Sequence, residues 1–336
     1  MEKLSKKIKS TVEKITDINR DAEALAQARL DSLTKPQGSL GRLEELAKQI
    51  SAITGVLKPD FSRKLIIIMA ADHGVVEEGV SAYPKEVTPQ MVYNFLSGGA
   101  AINVLSRHVG ADVAVVDIGV AEELKGAVKL TNLVEILSTA GQKGKEKIKG
   151  EPEHIKKIPD LSDLISIINA KNAKDTKNAE IAEIVKKNYQ MVSILIDKKV
   201  AYGTSDMAKG PAMTEEQAAS AVEAGIEVAE EMISCGYGII GTGDMGIGNT
   251  TASSAVAACI CGVDAELVTG YGTDINEAGF RNKVSVIKRA LEVNKPDAVS
   301  GMDVLSKIGG FEIGGIAGII LACASKKIPV VIDGFI

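Results

Sequence analysis

The chain has 336 residues with 45% hydrophobic and 25% charged side chains, which is typical of a globular protein of one large or two smaller domains. Aromatic residues make up only 3% and tryptophan is absent, so a nucleic-acid surface of stacked aromatic rings is not expected. The net charge of −5 also argues against binding a phosphate backbone, and an anionic small molecule would have to be held by local donors.

Short aliphatic runs alternate along the chain with longer helical patterns. The predicted buried strands are Lys64–Ala71, Asp112–Ile118, Tyr237–Thr242, Glu266–Thr269 and Ile328–Ile332. The predicted helices are Leu40–Ile53, Pro89–Val109, Glu215–Ser234, Thr250–Cys261, Glu277–Glu292 and Ile313–Ser325. This alternation predicts an α/β fold with a doubly wound, mostly parallel sheet. Ligands of such sheets bind at the carboxyl ends of the strands.

Two helix starts have a sequence signature. Thr88 followed by Pro89 is typical of an N-cap with proline at the first helical position, and Thr214 with Gln217 forms a capping-box pattern. The stretch from Glu122 to Gln190 departs from the alternation, because it is rich in Lys and Asn and has weak apolar periodicity. We interpret it as a surface insertion; a cap that docks a partner is the alternative.

The strongest candidate site is the turn Gly246–Thr251, which follows a buried strand and opens a helix. Gly246 and Gly248 allow a sharp turn and a close approach to a ligand. Unpaired first-turn N–H groups, with the side chains of Asn249, Thr250 and Thr251, could then hold a phosphate. The alternative is an ordinary glycine-rich turn with a simple N-cap. The spacing matches neither the P-loop nor the dinucleotide-binding motif.

A second glycine-rich turn lies in Val268–Lys283, where Gly270, Gly272 and Thr273 precede a helix. Lys283 falls about two turns into that helix, from which a lysine can reach a phosphate as a point charge. A solvent-facing helical lysine is the alternative.

A third candidate is Ala70–Gln90, where Asp72 and His73 follow a strand and Glu77 and Glu78 come soon after. Asp72 and His73 could act as acid and base, or Asp72 could cap the turn while His73 bonds to backbone. With three histidines in the chain, we expect no metal cluster, and no Ser or Cys nucleophile with a nearby base is evident.

The cysteines and the apolar segments bear on the compartment. Cys235, Cys259, Cys261 and Cys323 lack zinc-site or redox-motif spacing, which favours buried thiols in a reducing compartment over metal ligands. The first ten residues lack the apolar core of a signal peptide, and Ile313–Ser325 is too short to span a bilayer. We expect a cytoplasmic protein without membrane or nucleic-acid contacts.

Seven segments together resemble the nicotinate-nucleotide–dimethylbenzimidazole phosphoribosyltransferase family of cobamide synthesis. They are Thr34–Leu46, Ala71–Tyr83, Val87–Met91, Gly210–Met213, Gly246–Thr251, Thr269–Thr273 and Ile328–Phe335. The resemblance implies a Rossmann-like large domain, expected at residues 61–336, and a smaller helical domain from the chain ends that includes residues 1–60. It also implies a dimer, with itself or with a paralogue.

The implied reaction is a glycosyl transfer in which a lower-ligand base (a benzimidazole, a purine or a phenol) displaces nicotinate from nicotinate mononucleotide, without metal or cofactor. The resemblance implies that the nucleotide phosphate binds Gly246–Thr251 and Gly270–Thr273 together with Lys283. Ser81 and Gln90 match the family's base pocket, beside Asp244 and Met245. A carboxylate is needed to accept the proton of the incoming base.

Two departures from the family pattern leave the source of that carboxylate open. Asp244 stands where the family usually has glutamate, and the chain ends at Ile336, before the family's Gly-Glu-Gly-Thr-Gly segment with its catalytic glutamate. An active transferase could use Asp244, Glu77 or Glu78; alternatively, a paralogous subunit supplies the base, or the chain binds nucleotide without turnover. A nucleotide-binding regulator is the alternative function, and a nicotinamide dehydrogenase is disfavoured because its fingerprint is missing.

Overall fold

The computed structural model of the chain describes residues 5–126, 128–129, 193–272 and 274–336. Thr273 and most of the predicted insertion at 122–190 lie outside the described residues.

The described strands form a single parallel sheet. They are β1 (Lys64–Ala71), β2 (Ala111–Gly119), β3 (Val128–Lys129), β4 (Ser193–Asp197), β5 (Ile239–Met245) and β6 (Val330–Val331). Their order across the sheet is β3-β4-β2-β1-β5-β6. Since β1 lies centrally and the chain proceeds from it in both directions, the sheet is doubly wound, which confirms the predicted fold class.

Helices cover both faces of this sheet. The described α-helices are α1 (Lys6–Val12), α2 (Arg20–Asp31), α3 (Arg42–Thr54), α4 (Val87–Leu96), α5 (Ala101–Val109), α6 (Glu215–Ser234), α7 (Asn249–Cys261), α8 (Glu277–Asn294), α9 (Gly301–Ile308) and α10 (Phe311–Ser325). Short 3₁₀ turns occupy Gly74–Glu78 and Ala265–Val268. Among these described helices, none is long and apolar enough to cross a bilayer.

Two aliphatic cores lie on opposite faces of the sheet, and the side chains of β1 alternate between them. Leu65, Ile67 and Met69 belong to one core, which also contains buried side chains of α6, α7 and α10. Ile68 and Ala70 belong to the other, beneath α4. Successive side chains of a strand point to opposite faces, so a strand that is buried on both faces needs a continuous aliphatic run. The strand predicted at Lys64–Ala71 has such a run.

Helices α6 and α10 cross at very close range. A methyl group on Gly225 would lie 1.9 Å from the carbonyl oxygen of Gly315, and one on Gly318 would lie 2.1 Å from that of Val222. Glycines on both helices therefore let the two backbones touch. This contact fixes the amino end of α10 relative to the sheet, which matters for the site because α10 begins beside it.

The predicted helix Pro89–Val109 is wrong as a single element. It is divided into α4 and α5 at Gly98, which has φ +75°, and Gly99, where a methyl group would lie 2.4 Å from Asn94 Oδ1. Thr88 is also not an N-cap, because α4 begins at Val87. Its buried hydroxyl instead accepts a hydrogen bond from the backbone N–H of Ile247 at 3.1 Å.

The predicted strand Glu266–Thr269 is also wrong. The Asp264 side chain accepts a hydrogen bond from Glu266 N at 2.9 Å and starts a 3₁₀ turn, in which Leu267 is exposed. A capping side chain thus outweighs the β-propensity of a short run. The capping box at Thr214 and Gln217 is confirmed, since each side chain bonds the other's backbone N–H.

Candidate functional site

The Gly246–Gly248 turn connects β5 to α7 at the carboxyl end of the sheet. A methyl group on Gly246 would lie 2.1 Å from the carbonyl oxygen of Ala71, and Gly248 has φ +94°. Glycine is therefore required at both positions. The bond from Ile247 N to Thr88 Oγ1 ties the turn to the first turn of α4.

The start of α7 is already hydrogen-bonded within itself, in contrast to the unpaired N–H groups expected from the sequence. The backbone N–H of Asn249 donates to Gly246 O, that of Thr250 to Asn249 Oδ1, and that of Thr251 to Gly248 O. The Thr251 hydroxyl is buried and has no hydrogen-bond partner among the described residues. An anion at this turn must therefore be held chiefly by side-chain donors.

The main donor is Lys283, whose residue is only 1% exposed. Its Nζ atom donates to Thr250 Oγ1 at 2.8 Å and lies 3.4 Å from Gly270 O. Among the described residues it forms no salt bridge, and burial alone lowers the pKa of Lys283 to about 8. A buried ammonium with only neutral partners is costly, so the position favours an anionic ligand.

Lys283 also joins the two glycine-rich turns predicted from the sequence. A methyl group on Gly272, whose φ is +65°, would lie 3.1 Å from Lys283 Nζ and 3.3 Å from Thr250 Oγ1. Gly272, Gly270 and Thr250 are therefore gathered around one ammonium group. Thr273, which was expected to join them, lies outside the described residues.

Asp244 is a half-buried carboxylate near the end of β5. Burial and the nearby Glu312 carboxylate raise the pKa of Asp244 to about 6, against the opposing effects of a hydrogen bond from Asn249 and of His73. A groove of about 420 Å³ beside Asp244 and Asp333 is walled by apolar side chains such as Ile68 and Phe95. A carboxylate with such a pKa is suited to accept a proton near neutral pH.

Two of the residues expected at the base pocket, Ser81 and Gln90, lie on the segment 81–90, which is anchored to the Gly246–Gly248 turn through Thr88. Ser81 accepts a hydrogen bond from Tyr83 N, and Gln90 is exposed in the first half of α4. Met245 packs, together with Met91, against the second core. Since Thr88 accepts a hydrogen bond from Ile247 N, the start of α4 is held against the Gly246–Gly248 turn.

Glu78 takes part in an ion-pair network. Its carboxylate pairs with Arg289 of α8 and with Lys209, and Asn282 donates to the backbone oxygens of Glu78 and Gly79. The hydrogen bond from Lys209 is the largest cause that lowers the pKa of Glu78, and the charge of Arg289 contributes in the same direction. This geometry argues against Glu78 as a base and favours a role in fastening the 74–79 turn to α8. Glu77 is exposed and lies 3.7 Å from Lys85.

Asp72 and His73 make contacts that neither sequence interpretation anticipated. Asp72 accepts a hydrogen bond from the backbone N–H of Ala121, which follows β2. His73 Nε2 lies 2.8 Å from Glu312 Oε1, and both side chains are buried. Sequence analysis did not single out Glu312; a lone acid at the start of the apolar segment 311–325 was the available signal.

The fold and the site define a parallel α/β protein in which two glycine-rich turns and the buried Lys283 meet at the carboxyl end of the sheet. A family model described as phosphoribosyltransferase matches residues 15–162 and 164–336. The chain is 46% identical to the nicotinate-nucleotide–dimethylbenzimidazole phosphoribosyltransferase of Roseiflexus sp. strain RS-1, covering 98% of this chain and 75% of that protein. Identity to the enzyme of the same name from Geobacter metallireducens is also 46%, over 97% and 74% of the two chains.

Solved structures point to the same family. The crystal structure of CobT from Thermus thermophilus superposes with a TM-score of 0.70 at 37% identity, covering 94% of this chain and 75% of that one. The chain therefore belongs to the nicotinate-nucleotide–dimethylbenzimidazole phosphoribosyltransferase family. It spans about three quarters of the length of these relatives.

Proposed function

We propose that this chain transfers the phosphoribosyl group of nicotinate mononucleotide to an aromatic lower-ligand base and releases nicotinate. The observation that carries the proposal is Lys283, a buried ammonium at the junction of two glycine-rich turns with no carboxylate partner among the described residues. A ribose phosphate supplies the missing anion. The names of the relatives agree with this donor.

The reaction breaks the bond between C1′ of the ribose and the pyridinium nitrogen, whose electron pair leaves with nicotinate. A lone pair of the incoming base forms the new bond to C1′, and the proton of that base passes to a carboxylate. Because the leaving group is cationic before the reaction, the protein has mainly to orient the two rings and to accept one proton.

Asp244 is the carboxylate that we assign to proton acceptance. It lies on the strand that leads into the phosphate turn, and Asn249 connects the two, since its side chain donates to Asp244 and accepts from Thr250 N. Its pKa of about 6 keeps it ionised at neutral pH while leaving it basic enough to take a proton. Ser81, Gln90 and Met245 are assigned to binding the incoming lower-ligand base.

The range of bases and the partner are part of the proposal. Benzimidazoles, purines and phenols are the acceptor classes to compare. Exposed leucines on the packed pair α2 and α3, such as Leu25 and Leu43, which are 62% and 65% exposed, support self-association or association with a related chain.

The test incubates the purified chain with nicotinate mononucleotide and a panel of these bases, alone and together with a second member of the family, and measures nicotinate by chromatography. Release by the chain alone is the expected result. Release of nicotinate only in the presence of the second chain would assign the proton-accepting carboxylate to a partner subunit. Nucleotide binding without release under either condition would favour the regulator, and absence of binding in a calorimetric titration would refute the phosphate assignment.

A further inference from the structure

The ion pair between His73 and Glu312 is fully enclosed at the carboxyl end of the sheet. The two side chains are 1% and 0% exposed, and the second carboxylate oxygen, Glu312 Oε2, has no hydrogen-bond partner among the described residues. Burial alone would lower the pKa of His73, but the charge and hydrogen bond of Glu312, together with the charges of Asp72 and Asp244, raise it overall. A buried pair of this kind is weak support for stability, because apolar side chains of the same volume serve as well.

The imidazole ring is enclosed by three glycines. A methyl group on Gly248 would lie 3.2 Å from His73 Cβ, and one on Gly246 would lie 3.5 Å from Cδ2. One on Gly310 would lie 2.5 Å from Cε1 and 2.6 Å from the Glu312 carboxylate oxygens. The ring therefore lies against the phosphate turn on one side and against the start of α10 on the other.

The same pair faces Asp244. The charged groups that act on Asp244 are Glu312 from α10, His73 after β1 and Asp333 after β6, together with a hydrogen bond from Asn249 of α7. Those that act on His73 are Glu312, Asp72 and Asp244. Glu312 and Asp333 raise the pKa of Asp244 and His73 lowers it, with Glu312 exceeding His73.

We propose that His73 and Glu312 are a positioning pair for the transfer, in which the ring braces the Gly246–Gly248 turn and the carboxylate holds the ring in its orientation and charge beside Asp244. The proposal rests on the proposed function, since it assigns the pair to the nucleotide turn and to the carboxylate that accepts the proton.

The brace is tested with Gly310→Ala, which adds one methyl group against the ring and leaves both charges in place. Gly310 has an extended backbone, so alanine is not strained there. We expect the Kd for nicotinate mononucleotide and for inorganic phosphate to rise about tenfold in calorimetric titrations. Gly301→Ala, whose methyl group would meet nothing within 4 Å, is the matched control and should bind as the unmodified chain does. Unchanged binding by Gly310→Ala refutes the brace.

The charge is tested with Glu312→Gln, which keeps the shape and a hydrogen-bond acceptor. Loss of the anion should lower the pKa of His73 in an NMR titration of the histidines, where His73→Gln identifies the resonance. The acid limb of kcat/KM should move to lower pH. Glu312 raises the pKa of Asp244 by more than His73 lowers it, so removing the Glu312 charge should lower that pKa. The control is Asp112→Asn, which loses a carboxylate bonded to Tyr237 at the amino end of β2. It accounts for a general loss of stability, and it should change neither the pKa of His73 nor the acid limb of kcat/KM.

The outcomes separate this proposal from the proposed function. If the unmodified chain releases no nicotinate with any base, the proposed function fails, while phosphate binding by Gly310→Ala and the His73 titration still decide the positioning pair. If the unmodified chain is active and both variants bind, titrate and turn over as it does, the pair is refuted and the proposed function stands.

Discussion

At the scale of single residues, Lys283 carries a buried charge without a salt-bridge partner in the part of the chain that the structure describes, and we expect opposite consequences for binding and for stability. In Lys283→Met the side chain keeps its length and loses its charge. We expect the Kd for nicotinate mononucleotide to rise at least about a hundredfold, roughly the 3 kcal/mol upper range of a charge-assisted contact. Without ligand the variant should be more stable than the unmodified chain at pH 7, by up to about 3 kcal/mol, from a pKa of about 8 against 10.5 for a solvated lysine.

The pH dependence of the free energy of unfolding tests whether the charge of Lys283 destabilises the free protein. Between about pH 8 and 10.5 the unfolded chain holds a proton on Lys283 that the folded chain has lost, so the stability of the unmodified chain should rise with pH relative to Lys283→Met. Denaturant unfolding of both proteins at pH 7 and pH 10 measures the difference. If the difference in the free energy of unfolding between the two proteins is as large at pH 10 as at pH 7, Lys283 has an anionic partner in the free protein.

Asp244 gives a second prediction at this scale. Asp244→Asn should lower kcat by about a hundredfold or more, the usual size of a general-base contribution, while the Kd for nicotinate mononucleotide changes little. In the unmodified chain kcat/KM should be level above pH 6 and should fall about tenfold per pH unit below it. Asp244→Glu, which moves the carboxylate outward by one methylene, should keep activity and change the order of preferred bases. Full activity of Asp244→Asn would assign proton acceptance elsewhere.

How far single residues could be predicted depends on the sequence distance of their partners. The sequence marked Asn249, Thr250 and Lys283 because glycine-rich turns lie next to them along the chain. It could not pair His73 with Glu312, since 239 residues separate them. Nor could it show that Glu78 is held by Arg289, 211 residues away.

At the scale of secondary-structure elements, the contact between α6 and α10 should be intolerant of any side chain at Gly225. Gly225→Ala places a methyl group 1.9 Å from the carbonyl oxygen of Gly315, so the helices must separate. We expect the free energy of unfolding to fall by about 3 kcal/mol, the upper end of the usual range of overpacking effects. Gly301→Ala should instead be neutral or stabilising by up to about 1 kcal/mol. Equal stability of the two variants would contradict the close crossing.

The central strands could be predicted because burial on both faces leaves a continuous aliphatic run, as in β1. The errors arose where a local contact outweighs the pattern: Asp264 caps a turn within an apparent strand, and Gly98 ends a helix whose apolar periodicity continues. The hydroxyl of Thr88 looked like a cap and serves instead as an acceptor for Ile247 N. That bond depends on the fold and has no counterpart in the local sequence.

At the scale of the whole molecule, the exposed leucines of α2 and α3 predict self-association. Leu25→Lys with Leu43→Lys places charges on that surface without touching either core, and it should lower the sedimentation coefficient to that of a monomer. Val299→Lys, which changes an isolated side chain that is 94% exposed, should have no effect on association. A monomeric unmodified chain at micromolar concentration would contradict the prediction.

If nucleotide binds at Lys283 as proposed, the buried charge also links the lifetime of the protein to the supply of that nucleotide. A ligand that binds only the folded state stabilises it by RT ln(1 + [L]/Kd), about 2.7 kcal/mol at a hundredfold excess over Kd. Because Lys283 forms no salt bridge among the described residues, we expect a bound nucleotide phosphate both to relieve the cost of its buried charge and to protect the fold from opening. Proteases act on transiently opened chains, so we expect this protein to be degraded faster when nucleotide is scarce, and its amount to follow the supply of the proposed donor.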